Sequence, residues 1–332
     1  MSQISSLGDD LNRFWSSLSD GHSGASAIGE VFTNEKNFPV RAAHFQKANR
    51  LELPELNKGL FVSENIPVAR HLLGEVGARL KGLSIDGVIW GHGQAGYKFG
   101  NQMDSYATEV FTARRWTLEI RRIFKSLEIE IRNDHSIVNH SNSCLTGITA
   151  LGEAFQNIAS GRWRRAVVLV QEIRCRDWVL WPYYKLNLLA DGAVMRPFAN
   201  HRNGFVKGEG GAAFLLESEI AMKESVGSPY CQILSAVNLA DSWKTFEPRQ
   251  DLAMAERCIR IALSEANIQP GQIDYVNLYG SASRKGDVME TRLMKKVFGA
   301  RAYEIPMSAI KPQVGHLNTA AAAIETVATA LM

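Results

Sequence analysis

The residues of this 332-residue chain best suited to chemistry lie in three separate stretches. Cys144 stands in NHSNSCLTGITALGEAF (139–155), between the strand-like Ser136-Ile137-Val138 and an apolar set at helical spacing: Leu145, Ile148, Leu151, Phe155 and Ile158. Gly147, Ala150, Gly152 and Ala154 fill the gaps, a pattern that predicts a buried helix beginning at the cysteine. A helix N-terminus offers free N–H groups and the positive end of the dipole, which favour a thiolate. A thiolate is a nucleophile, but a buried, inert cysteine fits the same stretch, and the local pattern leaves both readings open. In the second stretch, Lys311-Pro-Gln-Val-Gly-His316, two basic side chains stand five residues apart at a predicted helix start, with Glu325 nine residues beyond. The third, Ile273-Asp-Tyr-Val-Asn-Leu-Tyr-Gly-Ser-Ala-Ser283, reads as a strand entering a small-residue turn that begins at Tyr279.

The elements that must position these residues alternate in type. A short amphipathic helix begins at Asp10 and ends before Gly21. Ile85–Trp90 reads as a strand, and a helical pattern follows over about 105–124. Ala166–Val170 is a continuous apolar run, as in a strand buried on both faces. Phe214–Leu216 and Ile273–Leu278 are further strands, 252–266 and 287–298 are helices, a short strand lies near Ile305, and a last helix is predicted over about 316–331. Strands alternating with helices indicate an α/β fold with largely parallel sheet.

Composition narrows the function classes. No run of 18 apolar residues is present, and 45% hydrophobic residues over this length suffice for one large core or two moderate ones. A net charge of +3 does not call for nucleic acid. Cys144, Cys175, Cys231 and Cys258 form no CxxC pair and show no metal-ligand spacing with histidine, so no metal site is expected, and scattered cysteines fit a reducing compartment. No signal-peptide pattern opens the chain. The expectation is a cytoplasmic protein without membrane or nucleic-acid partners.

Read together, the motifs resemble the β-ketoacyl synthase (ketosynthase) family of the thiolase superfamily. RPFANHRNGFVKGEG (196–210) is similar to the family pattern RPFDxxRDGFVxGEG, and GDVMETRLMKKVFG (286–299) also fits it. The resemblance runs from about Ser6 to Met332. It implies a layered αβαβα fold of two similar halves, here 1–215 with the nucleophile and 216–332, and a homodimer or heterodimer joined through the strand beside the nucleophile helix, taken as Ala166–Val170. It implies that Cys144 is the acyl-accepting nucleophile, that His316 donates a hydrogen bond to the thioester carbonyl or enolate, and that Lys311 and Glu325 orient that network. Fixed donors of this kind stabilise the oxyanions of thioester chemistry. No cofactor is implied, since acyl groups arrive on the phosphopantetheine of an acyl carrier protein or on CoA.

Three departures bear on activity. The family's H-G-T-x-T stands here as Tyr279-Gly-Ser-Ala-Ser, so Tyr279 replaces the first catalytic histidine. The glycine-rich G-H-x-x-G-A-A-G stands as GHLNTAAAA (315–323). The usual first strand and the C-terminal segment with the gating loop are expected to be missing, leaving an incomplete chain or one completed by a partner. Three functional readings follow. One is a ketosynthase-like acyltransferase of fatty-acid- or polyketide-type biosynthesis that loads and passes on acyl groups without decarboxylative extension, as do non-elongating ketosynthases that keep the cysteine and lose the histidine. Another is a true condensing enzyme, as one subunit of a ketosynthase–chain-length-factor pair. The last is a catalytically silent partner subunit, against which the retained Cys144 argues.

Other stretches carry double readings. Asp177–Tyr184 fits an acyl tunnel, a dimer interface or an ordinary aromatic cluster. Arg121, Arg122, Arg162, Arg164 and Arg165 fit either a carrier-protein dock or a solvated basic face. His140 and His201 read as structural. GHGQAG (91–96) lacks the spacing of a phosphate loop.

Overall fold

The computed structural model describes residues 1–27, 41–43, 61–80, 82–92, 113–133, 136–172, 180, 183–190, 194–243 and 249–332. The main elements run β1 (Ser2–Ser5), α1 (Leu11–Ser19), α2 (Phe61–Gly77), β2 (Gly87–His92), α3 (Ala113–Ser126), β3 (Ile137–His140), α4 (Thr146–Ala159), β4 (Arg165–Glu172), β5 (Lys207–Gly208) and β6 (Gly210–Glu217). They continue through α5 (Ala253–Glu265), β7 (Val276–Asn277), α6 (Gly286–Phe298), β8 (Met307–Ser308), α7 (Lys311–Val314) and α8 (Ala321–Leu331).

The apolar run around Ala166–Val170 becomes β4, the central strand of a five-stranded sheet ordered β1-β6-β4-β2-β3. β4, β2 and β3 are parallel, whereas β6 is antiparallel to both β4 and β1. Alternation along β4 assigns its two faces. Val167 and Leu169 join Val68, Leu72, Leu73 and Val76 of α2 and Ile120, Ile123 and Phe124 of α3. Val168 and Val170 face the other way, onto Ala150, Leu151 and Ala154 of α4 and Ile324 and Val327 of α8. Each such fully buried branched side chain contributes about 1.5–3 kcal/mol. The sheet therefore lies between α2/α3 and α4/α8. A smaller parallel pair, β7–β8, has its own core with α5 and α6, built from Leu278, Met294, Val297, Phe298 and Ile305.

Several expectations are corrected here. A first strand is present: Ser2–Ser5 pairs with Gly210–Ala213 at the sheet edge. β4, flanked on both sides, is not the strand through which a second chain can pair; among the described residues, β3 forms the edge of the sheet on the side of Cys144. The last helix starts at Ala321, not near 316, because Gly315 (φ 78°) and Asn318 (φ 42°) turn the chain and a 3₁₀ turn covers Asn318–Ala320. The helix expected over 105–124 is seen as Ala113–Ser126, with 105–112 outside the described residues.

α4 buries only part of the stripe its large side chains suggested: Leu151 is in the core and Ile158 packs against it. Leu145 and Ile148 are about half exposed, whereas Gly147, Ala150 and Ala154 are buried. Close approach explains this: a Cβ on Gly147 would come within 2.8 Å of the Ala323 backbone nitrogen in α8. The small residues let the nucleophile helix and the last helix touch.

Candidate active site

Two sequence motifs act as scaffold for the reactive residues. In 196–210, the Arg202 guanidinium donates to the carbonyls of Ser283 and Arg284, the Phe198 N–H donates to Asp287 Oδ2 at 2.7 Å, and the Gly204 N–H donates to the Ala282 carbonyl. These bonds fix the turn that begins at Tyr279 and the start of α6. The same motif then pairs with the His316 segment: the His316 N–H donates to Val206 O at 2.7 Å and the Gly208 N–H to His316 O at 2.9 Å. One stretch thus positions both side chains that face the cysteine.

Cys144 lies in the 3₁₀ turn Ser143–Leu145 that opens α4. Ser143 is held at φ 48°, a left-handed conformation that only surrounding structure keeps in a non-glycine residue. Thr146 secures the turn, its hydroxyl donating to Ser143 O and accepting from the Asn142 N–H at 2.7 Å. The half-buried Cys144 Sγ lies 3.6 Å from His316 Nε2 and 4.0 Å from Asn318 Oδ1.

His316 is buried, and its Nδ1 accepts the Asn318 backbone N–H at 3.2 Å. The neutral ring therefore carries its proton on Nε2, which faces Cys144 and, at 3.0 Å, the Tyr279 hydroxyl. Burial, then the ammoniums of Lys311 and Lys207, hold the imidazole well below its ordinary pKa. Phe205 packs edge-on against the ring.

Lys311 fixes Tyr279 from behind. Its ammonium donates to the Tyr279 carbonyl at 2.5 Å, pairs with Glu325, and sits 4.3 Å from the Tyr279 ring centroid. Burial pushes the Glu325 carboxyl up against the opposing pull of Lys311. Tyr279 as a residue is 44% exposed, but its hydroxyl end is turned inward onto His316 and buried. That enclosure, with Cys144, Glu325 and Glu290 nearby, raises the phenol pKa, so Tyr279 is a neutral hydroxyl at physiological pH.

The five residues expected at the site, Cys144, Tyr279, Lys311, His316 and Glu325, are thus brought together from four elements. Others were missed. Glu290 accepts both the Tyr279 and Gly280 N–H groups, at 2.6 and 2.9 Å, and closes the turn where Gly280 takes φ 49°. Asn318 bridges Cys144 to the Tyr183 hydroxyl, to which its amide donates at 2.6 Å. Lys207, fully buried, pairs with Glu172 at 3.2 Å. Glu290 and Lys207 lie within the two motifs already noted, but no periodicity distinguishes them from surface charges. Of the aromatic stretch 177–184, Tyr183 reaches the site; Cys175, 177–179 and 181–182 lie outside the described residues. Arg165 does not serve a basic docking face: it is 2% exposed and held by Glu217, Glu224 and the Ala221 carbonyl. His140 pairs with Glu153 at 2.5 Å.

A buried imidazole donor thus stands beside a cysteine at a helix start, an arrangement that can support nucleophilic chemistry. The β-ketoacyl synthase N-terminal domain profile matches residues 138–221 and the C-terminal domain profile residues 230–332, together more than half of the chain. The chain belongs to the β-ketoacyl synthase family. It is 35% identical over 197 residues to polyketide β-ketoacyl synthase 1 of Streptomyces cyaneus, covering 58% of this chain and 46% of that protein. The chain thus spans about half the length of that relative. It is 25% identical to 3-oxoacyl-[acyl-carrier-protein] synthase 2 of Coxiella burnetii over 99% of this chain and 83% of that one. Among solved structures, a type II polyketide ketosynthase in complex with its acyl-carrier protein shares the fold with a TM-score of 0.76 at 22% identity, over 99% of this chain and 84% of that one. The ishigamide ketosynthase/chain length factor does so with a TM-score of 0.76 at 21% identity, over 99% and 83%.

Proposed function

We propose that this protein is an acyltransferase of the ketosynthase type that loads an acyl group on Cys144 and passes it on without decarboxylative extension, in polyketide or fatty-acid biosynthesis. One observation carries this reading. The His316 Nε2 donor, which would hold the carbonyl of a malonyl thioester as its enolate forms, is directed at the Tyr279 hydroxyl 3.0 Å away. The raised phenol pKa keeps that hydroxyl neutral, and the ring supplies no cation in place of a histidine.

Loading needs less. The Cys144 sulfur attacks the thioester carbonyl, a C–S bond forms, and the tetrahedral oxyanion collapses to expel the carrier thiol, which takes up the proton lost by Cys144. Transfer to an acceptor thiol reverses these steps. The acyl group arrives on the phosphopantetheine of an acyl carrier protein or on CoA, with no resident cofactor. Two relatives of this fold, one seen with its acyl-carrier protein and one named with a chain length factor, support a carrier protein and a second ketosynthase-like chain as partners. Strand β3, the sheet edge among the described residues and beside the nucleophile, suits a homodimer or heterodimer in the cytoplasm. A stable monomer at micromolar concentration by light scattering would count against that interface.

A condensing enzyme is the second reading. Tyr279 and His316 still present two polar atoms within 3.0 Å, so a turn of the phenol would leave two donors. Mass spectrometry after incubation with an acyl carrier thioester and, separately, a malonyl thioester tests both. Acylation of Cys144 without carbon dioxide release supports the transferase; stoichiometric release with a β-ketoacyl product supports condensation; no loading from either sinks both.

A further inference from the structure

Asn318 stands two residues after His316, at φ 42°, in the left-handed region that glycine and asparagine enter most readily. Backbone conformation alone would account for an asparagine here, so the side chain has to be judged by what it meets. Its Oδ1 lies 4.0 Å from Cys144 Sγ, and its Nδ2 donates to the Tyr183 hydroxyl at 2.6 Å. Asn318 is buried, and Tyr183 packs edge-on against Phe205. Burial pushes the Tyr183 phenol up, so a neutral hydroxyl meets the amide. The amide is thus turned with its oxygen, not its nitrogen, toward the sulfur.

The other contacts of the sulfur are of a different kind. His316 Nε2, at 3.6 Å, carries the ring proton, because Nδ1 accepts the Asn318 backbone N–H. Ser143 Oγ, at 3.8 Å, can donate or accept. An amide oxygen can only accept, so what it takes from this sulfur is the thiol hydrogen. We propose that Asn318 is a positioning residue for the nucleophile: its side-chain oxygen accepts the Cys144 S–H, held in that sense by Tyr183, so that the resting site carries a thiol and not a thiolate. The free N–H groups at the start of α4 pull the other way, and a hydrogen bond to the neutral form opposes them. Loading then conserves the proton. The S–H bond of Cys144 and the C–S bond to the carrier break, a C–S bond to Cys144 forms, and the departing carrier sulfur takes up the hydrogen.

Titratable groups on the surrounding elements are His316 and the Tyr279 hydroxyl, with Lys311, Glu325 and Glu290 behind Tyr279. Tyr183 stands behind Asn318, Lys207 is paired with Glu172, and His140 of β3 is paired with Glu153 of α4. Asn318→Gly leaves the backbone N–H on His316 in place and takes away the amide between Cys144 and Tyr183.

This inference rests on the proposed function only for Cys144 as the nucleophile, and its measurement uses no acyl substrate, so each can fail alone. The test is the rate of iodoacetamide alkylation at Cys144 from about pH 6 to 10, followed by peptide mapping that separates it from the other cysteines. Asn318→Gly suits the left-handed backbone, and its alkylation midpoint should fall by about 0.5–1 pH unit. Asn318→Asp keeps an acceptor and adds charge, so its midpoint should lie at or above that of the wild type. Tyr183→Phe frees the amide to turn and should move the midpoint in the same direction as Asn318→Gly, by less; it carries the test if the Asn318 variants do not fold. An unmoved midpoint in Asn318→Gly would leave Asn318 a backbone residue only, and a raised one would put Nδ2 on a thiolate. Either result, or an Asn318→Asp midpoint below the wild-type value, overturns the proposal.

Discussion

The Tyr279 hydroxyl lies 3.0 Å from Nε2 of His316, and the ammonium of Lys311 holds Tyr279 there by its carbonyl and by its ring. The phenol is thus a fixed occupant of the place where two imidazoles would otherwise converge. Tyr279→His should release the His316 donor and add a second one. Removal of one oxyanion donor costs about 10²–10³ in rate at sites of this kind. Carbon dioxide release from a malonyl thioester should therefore rise by about that factor in Tyr279→His, with acyl loading unchanged. Radiolabelled malonyl thioester gives the measurement; a wild type as fast as the variant would favour the condensing reading.

Cys144 should be the acylated residue. Cys231 is exposed but stands in no comparable turn, and burial pushes the Cys258 thiol up. Cys144→Ala should lose all acyl loading and all cerulenin modification, while iodoacetamide still labels Cys231. Peptide mapping after acylation decides the matter, and an acyl group found on Cys144→Ala protein at the wild-type rate would remove the nucleophile from this account.

Much of this site was legible in the sequence because its parts carry local marks. Cys144 precedes a helix of small residues, Lys311 and His316 share one short stretch, and the 196–210 motif is distinctive. The five-residue cluster needed only the fold to bring those parts together. What was hidden depends on packing across the chain. Nothing local shows that Lys207 is buried while Arg162 is exposed, since both are single basic residues in mixed surroundings. Strand order was equally hidden: the most apolar run becomes the centre of the sheet, and the shorter Ile137–His140 becomes its edge. β1 was missed because Ser2-Gln3-Ile4-Ser5 is mostly polar, yet all four side chains are buried against β6 and α2. Leu145 and Ile148 misled the reading of α4, because size marks hydrophobicity and not which face a neighbouring helix needs.

Lys311 and Glu325 form a buried pair, so removal of one partner should cost about 3–5 kcal/mol. The cost of Lys311→Met should depend on pH. Without the ammonium, the Glu325 carboxyl, already pushed up by burial, rises further. A carboxyl whose folded pKa is raised loses stability as pH climbs from its unfolded value through the folded one. Lys311→Met should accordingly be most destabilised at alkaline pH and partly recover near pH 5, and adding Glu325→Gln should flatten the difference. Urea midpoints of the single and double variants across that range provide the check. An equal loss at every pH would mean that removal of the Lys311 ammonium leaves the Glu325 titration unmoved.

His316 carries the opposite sign. Its folded pKa lies well below the ordinary 6.5, so below that value the unfolded chain takes up a proton that the folded site refuses. Stability is therefore fully present above about pH 6.5 and is lost as pH falls toward the folded value, with a slope of at most about 1.4 kcal/mol per pH unit for one group. His316→Asn removes that group. The stability difference between the wild type and His316→Asn should be constant from pH 8 to 7 and should shrink as pH drops to 5, where the wild type alone bears the cost of a buried neutral imidazole. Denaturant melts of the two proteins at matched pH measure this directly. Parallel stability curves would show that His316 titrates alike in the folded and the unfolded chain, and the buried neutral imidazole assigned to this site would have to be withdrawn.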